Sequence, residues 1–286
     1  MLFKRKLYQK LLKWKEISAG SSALLIEGAR RIGKSTIVEE FAKTEYDDYM
    51  LLDFARESTD IKDNFINNIN DLDTFFRNLF LLKGRSLHGK NCVIIFDEVQ
   101  LFPWARQAIK YLVQDGRYEY IETGSLISIH KNVQNILIPS EEYKLKMYPM
   151  DFEEFMMANN VSVTTLDMLN EKFKNASPVD EFVHQKLLSM FFVYLIVGGM
   201  PDAGKTYIET KDIREVDKVQ RDITTLYKED FSQYEIEDRK LKLKSIYDII
   251  PAELNKQNKK FVFTMLDKEL KFDRYENSFL WLKDAG

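Results

Sequence analysis

Residues 22–43 read SALLIEGARRIGKSTIVEEFAK, and this succession of apolar run, glycine-bounded loop and helical run decides the fold. Within it, Gly28-Ala29-Arg30-Arg31-Ile32-Gly33-Lys34-Ser35 satisfies the spacing G-x-x-x-x-G-K-[ST]. Gly28 and Gly33 permit backbone torsions that a Cβ forbids, so successive N–H groups can turn inward around a phosphate. In such a loop the lysine reaches the β/γ-phosphates and the Ser35 hydroxyl can ligate Mg²⁺. Ser22–Glu27 reads as a buried strand and Ser35–Lys43 as a helix, so the loop lies at a helix N-terminus, where the dipole favours an anion. The expected phosphate cradle is Gly28, Ala29, Arg30, Arg31, Ile32, Gly33, Lys34, Ser35 and Thr36. Arg30 and Arg31 have two readings: bidentate phosphate ligands, or solvent-facing charges.

A second stretch, Gly199-Met200-Pro201-Asp202-Ala203-Gly204-Lys205-Thr206, fits the same pattern after the apolar run Phe191–Val197. The partner machinery decides between the two. A nucleotide loop of this kind needs a second strand ending in an acid that supports magnesium. Cys92–Gln100 (CVIIFDEVQ) supplies it, with Asp97 placed for magnesium and Glu98 for polarising a water. After the second stretch, Phe261–Asp267 (FVFTMLD) ends in a single acid, and Pro201 removes a backbone donor from the would-be cradle. The second match is therefore expected to be coincidental, with Lys205 on a helix surface.

Further along, Tyr49–Phe54, Asn91–Asp97, Tyr118–Thr123 and Lys144–Tyr148 read as strands, and Leu72–Leu82 and Pro103–Gln114 as helices. This alternation predicts an α/β fold with a five-stranded parallel sheet and ligands at the strands' carboxyl ends. Thr123 and Ser125 fall at such an end, where γ-phosphate sensing and plain turn chemistry are both open readings. Residues 2–18 place Leu7, Leu11 and Trp14 on one helical face, with lysines and Arg5 around the rest. That face can cover the sheet, or the basic side can meet nucleic acid or a membrane; covering the sheet is the expected outcome. From Asp151 onward the pattern turns helical: Asp151–Asn159, Val179–Val197, Ile208–Tyr234, Arg239–Ile250 before Pro251, and Phe272–Lys283. The expected domains are a P-loop NTPase core over 1–150, a helical lid over 151–236, and a winged-helix segment over 237–286 that stops before any wing strands.

The chain has 286 residues and a net charge of −3, so nothing global announces nucleic acid. One cysteine, Cys92, excludes an internal disulfide, and His88, His130 and His184 are scattered without cysteine partners, so no zinc site is implied. No signal segment is evident, and the longest apolar run is too short to cross a bilayer, so a cytoplasmic location without membrane contact is expected. Glu142-Tyr143-Lys144 matches the E-x-K of metal nucleases, a tripeptide short enough to be chance.

With GARRIGKS, IIFDEVQ, ETGSL and YLIVGGMP on the page, the chain resembles a family of prokaryotic AAA-superfamily P-loop ATPases related to the STAND and archaeal-ATPase branch. The resemblance runs along essentially all of the chain. It implies that the Gly-x-Pro turn after the lid helix, here Gly199 and Pro201, approaches the nucleotide base. Such proteins usually carry a C-terminal nuclease-like domain, which this stretch, ending at Gly286, does not include. The implied activity is ATP binding and Mg²⁺-dependent hydrolysis serving as a molecular switch, with Lys34 and Glu98 catalytic and Mg²⁺ on Ser35 and, through water, on Asp97. Adenine is expected because no N-K-x-D guanine-reading motif occurs. No arginine finger is identifiable; if one is needed, a neighbouring subunit would supply it, and the expected partners are another protein or further copies of this chain. The alternatives are a DNA-associated module in which ATP only sets conformation, and a small-molecule kinase, which the adjacent acids disfavour.

Overall fold

The computed structural model describes residues 2–18, 20–125, 140–234, 237–258 and 275–284. Five strands form one sheet: β1 (Ala23–Gly28), β2 (Asp48–Asp53), β3 (Cys92–Asp97), β4 (Glu119–Ser125) and β5 (Glu142–Met147). Their order is β2-β3-β4-β1-β5, and every pairing is parallel. β1 and β3 are buried along their whole length, as strands covered on both faces must be, which is why ALLIEG and CVIIFD read as continuous apolar runs.

Helices cover both faces. On one side lie α1 (Leu7–Ser18) and α2 (Lys34–Glu45), whose Leu7, Leu11, Trp14, Val38 and Phe41 pack with Leu24, Ile26, Val93 and Ile95. On the other lie α3 (Thr59–Asn68), α4 (Leu72–Lys83) and α5 (Pro103–Asp115), packed on Ala23, Leu25, Leu52 and Phe96. Residues alternate between the two cores along β1, as a period of two requires. The basic first helix thus covers the sheet. Part of its charge is spent inside the chain: Lys6 Nζ pairs with Asp151 at 2.6 Å, and Lys15 Nζ donates to the Glu45 carbonyl.

Beyond the sheet run α6 (Phe152–Ala158), α7 (Val163–Lys174), α8 (Glu181–Val197), α9 (Pro201–Thr210), α10 (Ile213–Tyr234), α11 (Glu237–Leu254) and α12 (Glu276–Asp284). α6, α8, α9 and α10 share a small core of Phe155, Val197, Ala203 and Val216. Four sequence expectations need correcting. α3 and α7 were not foreseen. α3 buries only Ile61, Asn64 and Phe65, and α7 only Leu166, too little apolar signal to register as a period. The helix expected over Ile208–Tyr234 is two helices, broken where Lys211 turns left-handed (φ 54°) and the Asp212 carboxylate accepts the Arg214 N–H at 2.8 Å. Pro251 lies inside α11 and begins its last turn instead of ending it.

Of the expected winged-helix segment, α11 and α12 are described and pack on each other, while Phe261–Asp267 lies outside the described residues, as does His130. The Glu142 side chain is buried and accepts from Arg106 Nε and Nη2 at 2.8 and 2.7 Å. Its carboxylate is committed to that bidentate pair, which removes the nuclease-like reading of the tripeptide. Against the upward push of burial, Arg106 holds the Glu142 carboxyl below its usual range. Burial, then the neighbouring Glu142 charge, raises that of Glu122 on β4.

Candidate nucleotide site

The carboxyl ends of β1, β3 and β4 meet where the strand order reverses around β1, the position at which open parallel sheets bind ligands. The loop after β1 holds its shape by two different devices. Gly33 caps α2 at φ 94°, a left-handed conformation that only glycine adopts without strain. Gly28 has no such torsion. A Cβ there would come within 2.4 Å of the Met147 carbonyl oxygen, so glycine is required by close approach to β5, which corrects the torsional reading of that position.

Lys34 is the first residue of α2 and is buried, its ammonium donating to the carbonyls of Gly28 at 3.0 Å and Ala29 at 2.8 Å. Burial lowers its pKa from 10.5 to about 8, against the upward pull of Glu98 and Asp97. Ser35 Oγ donates to Asp97 Oδ1 at 2.8 Å, and the Thr123 hydroxyl donates to the same oxygen. Glu98 N–H completes the chain by donating to Thr123 Oγ1 at 3.3 Å. Residues 35, 97 and 123, far apart in sequence, are thereby tied into one polar cluster. Thr123 is fully buried and orients Asp97; Ser125, also buried, sits in register with Gly28. Neither hydroxyl lines the adjoining cavity, nor does Asp97.

Glu98 does border it. Its backbone lies in the left-handed region at φ 53°, a conformation that costs a non-glycine residue of order 1–3 kcal/mol and that recurs at functional sites. Gln100 Nε2 donates to its carboxylate. The cavity holds about 450 Å³, of the size that takes a nucleotide. Its floor is Arg30 to Ile37, and its walls include Leu2, Phe3 and Arg5 from the N-terminal segment and Pro201, Asp202 and Lys205 from α9. Gly28 and Ala29 lie behind Lys34 rather than on the wall. Of the Gly-x-Pro turn, Pro201 reaches the cavity, whereas Gly199 backs onto Met150, its carbonyl accepting the Met150 N–H at 2.7 Å.

The second loop-like stretch is not a phosphate cradle. Pro201 occupies the first turn of α9, where its missing N–H costs nothing, and Gly204, Lys205 and Thr206 are helical. Lys205 is on the helix surface, pairing with Glu209 at 4.0 Å, although it borders the cavity, which spacing alone did not foretell.

Three further contributors gave no sequence signal, because each is a long-range placement. The Arg5 side chain is buried; it donates to the carbonyls of Ile32 at 2.9 Å and Tyr148 at 2.6 Å and pairs with Glu154 at 3.1 Å. It ties the N-terminal segment, the phosphate loop and α6 together. Arg5→Ala leaves Glu154 buried without its cation, and we expect a loss of about 3 kcal/mol, read as a lowered thermal midpoint. The other two lie on α10: Tyr227 Oη donates to the Arg30 carbonyl at 2.8 Å, and Asp230 accepts from the Arg30 guanidinium.

The donor set suits a hard divalent cation. Ser35 and Asp97 present oxygens side by side, and Mg²⁺ held by one or two protein oxygens and substrate phosphates needs no larger cage. No group of three or more His, Cys, Asp or Glu that could hold a metal ion occurs among the described residues.

Residues 20–156 match the family model for an AAA domain, and residues 189–286 that of a domain of unknown function (DUF8612). No curated protein matches the chain. Among solved structures, similarity is distant. A chain of the Drosophila ORC bound to AT-rich DNA and Cdc6 aligns at 10% identity and TM-score 0.33, covering 72% of this chain and 92% of that one. Pif1 helicase from Candida albicans aligns at 11% and 0.32, covering 56% and 44%, and C. elegans PCH-2 at 11% and 0.27, covering 98% and 64%. The parallel sheet, the loop geometry and the family match agree on a P-loop NTPase-like α/β fold in which residues 20–156 resemble an AAA domain.

Proposed function

We propose that the chain binds ATP with Mg²⁺ and hydrolyses it as a molecular switch. The observation that carries this reading is the cluster Ser35–Asp97–Thr123, whose Ser35 borders, together with Glu98, a cavity floored by the phosphate loop. The loop amides and the Lys34 ammonium would hold the phosphates. Ser35 and Asp97 would hold Mg²⁺, which supplies charge neutralisation on the phosphate oxygens when bound. Glu98, which borders the cavity with a left-handed backbone and a carboxylate accepting from Gln100, would orient or deprotonate a water. Phe3 and Pro201 supply apolar surface to the cavity, suited to the flat base. The domain division at 150 and 236 belongs to this reading, as do the winged-helix character of 237–286 and a cytoplasmic setting. Among the described residues no helix is long and apolar enough to cross a membrane. The DNA-associated alternative has less support, since Arg5, Lys6 and Lys15 of the basic N-terminal segment are engaged within the chain.

The deciding experiment is phosphate release from ATP by the purified chain, with and without DNA, against Lys34→Ala. Phosphate released by the unmodified chain alone, and lost in the variant, is the expected result; release that persists in Lys34→Ala overturns it. A companion variant, Asp97→Asn, keeps a side chain of the same shape but removes the charge beside Ser35. We expect its Mg²⁺ affinity to drop about 10- to 100-fold, measured as a rightward shift of the magnesium titration of nucleotide binding.

A further inference from the structure

Both arginines of the phosphate loop are engaged by carboxylates from the segment beyond the sheet. Arg31 Nη1 lies 3.6 Å from Asp202 at the start of α9, with both side chains about half exposed. Arg30 pairs with Asp230 in the last third of α10, and there the environment differs: the Asp230 side chain is 6% exposed and that of Arg30 50%. Tyr227, one helical turn earlier, donates to the Arg30 carbonyl, so the same helix grips both the side chain and the backbone of one loop residue. Burial raises the Asp230 carboxyl above its ordinary value against the pull of Arg30. An acid that burial disfavours as an anion depends on that guanidinium to stay charged. The N-terminal half of α10 is anchored elsewhere, through Val216 in the α6–α8–α9 core and the Gln220 amide on the carbonyls of Ile196 and Val197 at 2.8 and 3.0 Å.

We propose that α10 is a latch on the phosphate loop, closed by Arg30–Asp230 and Tyr227–Arg30 and opened by nucleotide phosphate. This rests on the nucleotide reading of the cavity, because the competitor for Arg30 is the phosphate itself. Arg30 borders the cavity. A phosphate oxygen drawing the guanidinium inward takes it from Asp230, and the C-terminal half of α10, which is paired through Lys228 with Asp248 of α11, can then move together with α11. Linkage makes the coupling reciprocal: whatever factor the closed latch subtracts from nucleotide affinity, nucleotide subtracts from latch closure. The nucleotide state of the AAA module is passed in this way to the segment 189–286.

The test is hydrogen exchange of the turn around Tyr227 and Asp230 in the full chain, with and without Mg-ADP, together with titration of a fluorescent ADP analogue. In the unmodified chain ADP should speed exchange in that turn. Asp230→Asn should exchange fast without nucleotide, respond little to ADP, and bind the analogue about fivefold or more tightly. Tyr227→Phe, which alters no charge, should shift both readouts the same way by less, and keeps the result readable if Asp230→Asn folds poorly. Lys34→Ala should weaken ADP binding about 10-fold or more and, at ADP concentrations that saturate the unmodified chain only, keep the slow exchange. Binding of ADP by the unmodified chain without any change around Tyr227 overturns the latch and leaves the nucleotide site standing. Weaker binding by Asp230→Asn overturns it too, and makes Asp230 a support for Arg30. Failure of the unmodified chain to bind ADP overturns both.

Discussion

Glu98→Gln should bind ATP as the unmodified chain does and release phosphate about 10²- to 10⁴-fold more slowly. That is the range contributed by a group that removes a proton in the transition state. The amide keeps the size of the carboxylate and its bond from Gln100, so the left-handed turn at φ 53° and the Asp97 cluster should survive. Only the basic oxygen facing the cavity is lost. Single-turnover phosphate release and analogue titration on the same preparation separate the two effects. Unchanged turnover would show that Glu98 is not the water-activating group, and that its strained backbone serves the fold alone.

Lys34→Ala should weaken ATP binding about 10- to 150-fold, the equivalent of a charge-assisted contact of about 1.5–3 kcal/mol. Lys205→Ala, removing an exposed cation at the cavity rim, should change affinity less than threefold. If the two results are reversed, the phosphate site has been placed on the wrong wall. The pH dependence adds an independent check. With the Lys34 pKa near 8 in the free protein and raised by a phosphate dianion beside it, ATP affinity should be level below pH 8. Above pH 8 it should fall by up to tenfold per pH unit, and Lys34→Ala should lack that limb.

The same group predicts a stability effect of opposite sense. The folded state lowers this pKa from 10.5 to about 8, so the unfolded chain binds more protons between those values and stability rises with pH across that window. Below pH 8 the buried ammonium costs about 3 kcal/mol. Lys34→Met should therefore melt higher than the unmodified chain at pH 7 while binding ATP poorly. A lower midpoint would mean that the bonds to Gly28 and Ala29 outweigh the burial.

What the sequence determined by itself was whatever depends on neighbours along the chain. GARRIGKS specified a loop between strand and helix because glycine freedom, strand apolarity and helical spacing are local properties, and CVIIFDE announced a buried strand ending in two acids. Choosing between the two loop-like stretches was also legible. Pro201 at a helix start is a local signal, and the stretch after it is helical. The alternation of strands and helices was enough for a parallel five-stranded sheet. Only the tertiary structure could decide which side chains converge. That the Thr123 hydroxyl donates to Asp97 was not legible, because it depends on the order β3-β4-β1, which places β4 between the acid and the loop. Gly28 proved to be glycine for the sake of the Met147 carbonyl on β5, a neighbour 119 positions away. Arg5, Tyr227 and Asp230 meet the loop across separations of 27 residues and more, where spacing carries no information. Periodicity records which face of an element is buried; it does not record which element lies on that face, and contacts to the loop are settled by that second fact.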